Sequence, residues 1–403
     1  MPGERDHSTE DPRMHRTARR LIPILAISPI AAAGVLAAAP AGATPSARPR
    51  PIVHDAADTK SEQREVKDFW TPAKMAAAKP LDLVRSRGGR TTTTPGGIQG
   101  SGTAKRADGI QGSGGAVKRA GIQGSGRAGG IQGSGANRAG AAPGAPTAPP
   151  PPVTASPTPT ASASSSTAGA PALAARSSGA PWTAGGAIVK TEGRVFFTYQ
   201  GRSASCSGTA VTSANKSVVI TAGHCVKLGG AFHTNWVFVP GYSSGSRPYG
   251  TWVATNLLTT QQWNASEDMN YDVAAAVVAP VDGRRLTDVV GGQGIAFNQA
   301  RGRQMYAFGY PAASPYDGSK LIYCGGRPFD DFLVSTDQGL TCDQTGGASG
   351  GGWFAGFDES TGAGTLNSVN SFKYNFAPYW MFGPYFGPEA QAVYTTAQNE
   401  NLT

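Results

Sequence analysis

The sequence predicts an all-β domain over residues 181–403, carried behind a front half that builds no core. Three observations point there. The 403-residue chain holds 55 glycines and 30 prolines, well above the usual combined share of about 12 %. Its charge is uneven: residues 1–180 carry 22 Lys+Arg against 11 Asp+Glu, whereas residues 181–403 carry 13 against 15. From about Trp182 onward, short runs of β-formers alternate with Gly, Asn, Asp and Ser turns. The stated net charge of +9 therefore belongs to the front of the chain. A basic nucleic-acid surface on the near-neutral folded half is disfavoured.

Residues 1–43 have the plan of a secretory signal peptide: arginines at 13, 16, 19 and 20, an apolar run, then Ala41-Gly42-Ala43. Residues 44–90, with enough apolar content around VKDFWTPAKMAAAKPLDLV for a short helical piece, read as a pro-segment. Residues 91–180 form a disordered linker rich in Gly, Pro and Ala. It holds four GIQGSG copies, starting at Gly97, Gly109, Gly121 and Gly130. One isoleucine per copy cannot build a core, so the copies read as a spacer, with repeated docking as the alternative. Residues 141–180, with Pro149 to Pro152, read as a semi-extended stalk. The basic pairs Lys105–Arg106 and Lys118–Arg119 are candidate processing sites.

In the folded half the expected strands include RVFFTY (194–199), KSVVITA (216–222), TNWVFVP (234–240), YDVAAAVV (271–278), RQMYAFGY (303–310) and LNSVNSF (366–372), which suits a sandwich or barrel. Only PEAQAVYTTA (388–397) looks helical, opening with Pro and Glu after a glycine. All four cysteines, Cys206, Cys225, Cys324 and Cys342, lie here. An even number on an exported chain implies two disulfides, with three pairings possible.

Histidine and serine carry the chemistry. Of five histidines, only His224 and His233 fall in the folded half. His224 ends the β-rich run SVVITAGHCV and is the better general base. Ser349 sits in GGASGGGW, where bare glycine backbone can turn tightly and aim N–H groups at one spot, as an oxyanion hole requires. No histidine follows Ser349, which excludes the α/β-hydrolase order. No aspartate lies between 181 and 224, which excludes the subtilisin order. The order His, Asp, Ser remains. Of nine intervening aspartates, Asp272 at the head of an apolar run is the best third member, and Asp268 is the reserve.

TAGHC (221–225), the D-V-A of 272–274 and G-x-S-G-G (347–351), in that order, resemble the chymotrypsin-like serine peptidases. FGYP (308–311) and the signal-plus-pro-segment layout are similar to secreted bacterial members, including the glutamyl-endopeptidase-like branch. The resemblance covers about residues 183–399. It implies two antiparallel six-stranded β-barrels with a C-terminal helix. The first, 183–285, would carry His224 and Asp272; the second, 286–385, would carry Ser349 and a substrate strand around Ser371. Within SCSGTAV (205–211), Cys206 is similar to the family's first-barrel cysteine, which implies pairing with Cys225. The oxyanion hole would be the N–H groups of Gly347 and Ser349.

The sequence departs from the family pattern in two places. Ala348 stands where animal members hold the Asp that pairs with a new N-terminus, so removal of a covering pro-segment is the expected activation. Asp343, six residues before Ser349, lies where trypsin-like members keep their Arg/Lys-selecting acid, but Cys342 is out of register with theirs. The glutamyl-specific branch's histidine is absent from SVNSF (368–372), and a pocket lined by small residues would take apolar side chains. The expected protein is a secreted, monomeric serine endopeptidase acting on proteins or peptides. It needs no cofactor or metal, binds no nucleic acid, and has no membrane attachment once the signal is removed. The alternatives are a catalytically silent protease-like adhesion protein and an esterase on the same fold.

Overall fold

The computed structural model describes residues 49–88, 90–93 and 176–402. The expected signal peptide, the GIQGSG copies, the basic pairs and most of the stalk lie outside the described residues. Among the described residues, no helix is long and apolar enough to cross a membrane.

The first half of the folded region is a closed six-stranded antiparallel barrel. Strand Glu192–Tyr199 pairs with Arg202–Val211, which pairs with Val218–Thr221. The ring continues through Ala274–Val278 and Trp252–Thr259 to Thr234–Pro240, which returns to Glu192–Tyr199. Strand Ala274–Val278 is buried along its whole length, because helix Pro388–Ala397 packs against it. The run of alanines allows that close approach, and burial on both faces explains why it does not alternate.

In the second half the ladders divide into two six-stranded sheets. One contains Ala363–Val369, Gly352–Asp358, Met305–Gly309 and Ile322–Gly326; the other contains Gln338–Thr341, Ala377–Gly383 and Phe372–Tyr374. Between them lies a core of Ala307, Leu340, Ala348, Trp353, Met381 and the Cys324–Cys342 disulfide. The other bridge is Cys206–Cys225.

Strands extend beyond the expected linker boundaries at both ends. Thr91–Thr93 pairs with Leu83–Arg85, and Arg176–Pro181 pairs with Ile322–Gly326. The run YDVAAAVV is extended only from Ala274. Its start follows a 3-10 turn, Met269–Tyr271, whose Asn270 N–H is capped by the Asp268 carboxylate.

The stretch 49–93 contains more structure than the short helical piece expected of it. Strand Ile52–Asp55 pairs antiparallel with residues 256–259 of Trp252–Thr259. Thr59 and Glu62 form a reciprocal capping box at the start of helix Lys60–Phe69. Thr71 caps helix Pro72–Ala77, with Pro72 at its tolerated first position. Trp70, Met75, Leu81 and Leu83 are buried in the main core, and the Trp70 indole N–H donates to the Asn235 carbonyl.

Candidate active site

His224 lies on a one-turn helix, Gly223–Cys225, where the Val218–Thr221 strand ends. Its position is fixed from three sides. The Asp272 carboxylate accepts from the His224 backbone N–H through Oδ1 and meets the imidazole Nδ1 through Oδ2, both at 2.8 Å. The Cys206–Cys225 disulfide ties the next residue to the neighbouring strand. The buried His233 ring, stacked on Phe197 at 4.3 Å, holds the His224 carbonyl at 2.9 Å. Burial pushes His233 down to about 4, so it stays neutral there. His224 and Asp272 are fully buried. The imidazole Nε2 has no hydrogen-bond partner.

Ser349 sits in a loop built from glycine by necessity. A Cβ on Gly351 would lie 2.1 Å from the Phe308 carbonyl oxygen, and one on Gly350, whose φ is +81°, would lie 2.1 Å from Thr221 Oγ1. Asn370 clamps the loop from behind. Its amide donates to the carbonyls of Phe308 and Ala348, while its oxygen accepts from the Trp353 indole. Ser207 Oγ donates to the Gly347 carbonyl and accepts from the Tyr310 N–H, which sets the peptide plane before Ala348.

The structure joins His224 to Asp272 and places Gly347 and Ser349 in one loop, with the Ser349 carbonyl 3.7 Å from Cys225 Sγ; the other expected residues have different surroundings. Asp268 caps its own turn and stands apart from His224. The Ser371 hydroxyl donates to Asp272 Oδ2. The Asp343 Oδ1 accepts from the Gly179 N–H and the Tyr316 hydroxyl, so it fastens strand Arg176–Pro181. Sequence reasoning missed Ser207 and Asn370, which look like ordinary strand residues, and Lys373. The buried Lys373 ammonium donates to the carbonyls of Cys342 and Pro378, and desolvation brings it down to about 8. Cys206, His224 and Cys225 bring three ligand-type atoms within 4.8 Å of one another, but both sulfurs are spent in the disulfide.

Residues 79–85 also pass over the site. The Leu81 carbonyl accepts from the Gly347 N–H at 3.1 Å and faces Ser349 Oγ at 3.4 Å. Ser349 is 3 % exposed. The Asp82 carboxyl, beside Gly346, keeps some exposure. Protein atoms crowd it enough to push it up to about 6, against the pull of Lys373 and His224.

A closed antiparallel barrel with a histidine held by a buried carboxylate, and a serine in a glycine-built loop later in the chain, is the pattern of the chymotrypsin-like β-barrel hydrolases. No family model matches the chain, and no curated protein does. Solved structures do. The chain is similar to the protease Anisep from Arthrobacter nicotinovorans, with 46 % identity and a TM-score of 0.51 over 53 % of this chain and 98 % of that one. It is similar also to AL20, a thermostable serine protease from an extremophilic microorganism, with 43 % identity and a TM-score of 0.51 over 53 % and 100 %. A Glu endopeptidase is more distant, at 17 % identity and a TM-score of 0.44 over 55 % and 97 %. The chain belongs to the chymotrypsin-like serine proteases.

Proposed function

We propose that the protein is a secreted serine endopeptidase that cleaves peptide bonds through an acyl-enzyme on Ser349. The observation that carries this reading is the double hold of Asp272 on His224, at the backbone N–H and at Nδ1. It keeps the Nδ1 proton in place and leaves Nε2 as the free base. Ser349 Oγ attacks the scissile carbonyl while Nε2 takes its proton, and the same proton then goes to the departing amine. General-base action of this kind is worth about 10²–10⁴-fold. The N–H groups of Gly347 and Ser349 receive the oxyanion, each donor being worth about 10²–10³ in turnover. Ser371 acts as a positioning residue by donating to Asp272. Removal of residues 49–93 is the activating step, because Leu81 already occupies the Gly347 N–H.

The test is a serine-directed fluorophosphonate applied to the secreted protein after its front segment is removed, with Ser349→Ala alongside. A single adduct mapped to Ser349 and absent from the variant is the expected result, together with hydrolysis of a casein substrate. A disulfide-bonded, folded protein with the site uncovered that takes no label would overturn the reading.

A further inference from the structure

Residues 79–85 cross the site in a fixed direction. Lys79 and Pro80 pair in parallel with Ala204 and Ser205, and the Leu81 N–H donates to the Ser205 carbonyl at 3.0 Å. Leu83, Val84 and Arg85 then pair in parallel with Phe372, Lys373 and Tyr374. The segment therefore enters on the 204–205 side of Ser349 and leaves along 372–374. The Cys206–Cys225 bridge puts His224 on the 204–206 side. A bond can be cut only if its departing nitrogen lies where Nε2 can protonate it. In this segment the carbonyl held at Gly347 belongs to Leu81, and the nitrogen that would leave is that of Asp82, which heads toward Phe372. Attack at Leu81 would expel the Asp82 nitrogen toward Phe372, on the side away from the 204–206 strand, where it is not presented to Nε2 for protonation, so the ester would collapse back to the peptide.

The hold on this segment does not depend on its covalent connection to the rest of the chain. Leu81 and Leu83 are each 1 % exposed. Upstream, Trp70 is buried against Phe196 with ring centres 5.6 Å apart, His54 stacks on Phe232 at 4.3 Å, and strand Ile52–Asp55 forms a four-residue ladder with Trp252–Thr259. The chain back to the protease half, residues 94–175, begins after the edge strand Thr91–Thr93.

We propose that residues 49–93 are an inhibitory module that threads the cleft against the direction hydrolysis requires, and that cutting the chain between Thr93 and Arg176 does not release it. The proposal rests on the serine-protease reading above. Two consequences follow: nicking alone does not activate the protein, and activation needs cleavage or unfolding of the 49–93 module itself.

The test inserts a recognition sequence for a site-specific protease near residue 120 of the full chain and follows the product before and after cutting. The expected result is co-elution of the two pieces on gel filtration and fluorophosphonate labelling of Ser349 no faster than in the uncut chain. The Leu81–Asp82 bond is expected to stay intact by mass spectrometry after prolonged incubation. The uncut variant Leu83→Asp, which leaves residues 176–403 unaltered, is expected to label at least 10-fold faster. Full labelling on nicking alone, or a cut at Leu81–Asp82, would overturn the proposal while leaving the protease reading in place. If Leu83→Asp takes no label, and the protein digested free of 49–93 takes none either, both readings fall together.

Discussion

Replacing Asp272 with asparagine tests the proposed chemistry with almost no change in shape. Asp272 makes three contacts: Oδ1 accepts from the His224 N–H, and Oδ2 meets both Nδ1 and the Ser371 hydroxyl. An amide can keep its oxygen on the backbone N–H, but its NH₂ then faces Nδ1. Two donors cannot share that contact, so Nδ1 must become the acceptor and the ring proton moves to Nε2. The nitrogen proposed as the base, Nε2, is thereby blocked. The wrong tautomer in a triad of this kind costs about 10⁴ in kcat, equivalent to about 5.4 kcal/mol of barrier. The assay is kcat on a quenched fluorescent peptide for protein freed of residues 49–93, with thermal unfolding run in parallel. Expected are a fall of about 10⁴ in kcat and a Tm within a few degrees of the parent. A variant that keeps its fold and loses less than about 10-fold would refute the argument, because the tautomer would then not depend on this carboxylate.

Three further outcomes are expected. Glu192 is buried, with Oε1 accepting from Thr209 and Gly352 and Oε2 unpartnered; burial raises it to about 8 from an ordinary 4.5. A carboxyl raised on folding stabilises fully below about pH 4.5 and loses that contribution as pH climbs to about 8. Glu192→Gln should therefore match the parent in urea unfolding at pH 4 and exceed it at pH 8, by up to about 5 kcal/mol. Equal stability of the two at pH 8 would count against a protonated Glu192. Asp82, raised to about 6 mainly by desolvation, should hold residues 81–85 tightest below about pH 4 and progressively looser up to about pH 6. The titratable groups facing it are Lys373 and His224. Hydrogen exchange of amides 81–85, corrected for intrinsic rates, should show opening rise by one to two orders of magnitude between pH 4 and 7 in the parent but not in Asp82→Asn. An identical pH trend in both would exclude Asp82 as the cause. Gly351→Ala drives a methyl group into the Phe308 carbonyl and should cost several kcal/mol, seen as a Tm lowered by more than about 5 °C or loss of soluble protein. An unchanged Tm would show that the loop gives way.

Local chemistry made much of this protein legible in its sequence. Helix Pro388–Ala397 matches the expected span, because a glycine, a proline and a glutamate mark its start within a few residues. The strands around Phe196, Ile220 and Val237 follow from β-branched and aromatic runs bounded by turn residues. His224, Asp272 and Ser349 could be singled out because chain order leaves few arrangements open and each stands in a distinctive neighbourhood. Non-local partners were harder to read. Asp343 has the right position for a selectivity acid, but Gly179 and Tyr316, 164 and 27 residues away, claim its carboxylate. Nothing near Asn370 or Ser207 in sequence reveals that they hold the serine loop, since their partners come from other strands.

The sequence by itself determined which residues have the chemistry to react and where the chain builds strands, because those properties reside in side chains and their immediate neighbours. Only the tertiary structure decided the direction of residues 79–85 across the site. Strand direction is a relation between segments about 125 and nearly 300 residues apart, set by how the helices before Lys79 dock and by which edge Leu83 can reach. A run such as KPLDLVR has the same composition whichever way it is laid, and the proposed inhibition rests on the direction it takes in this fold.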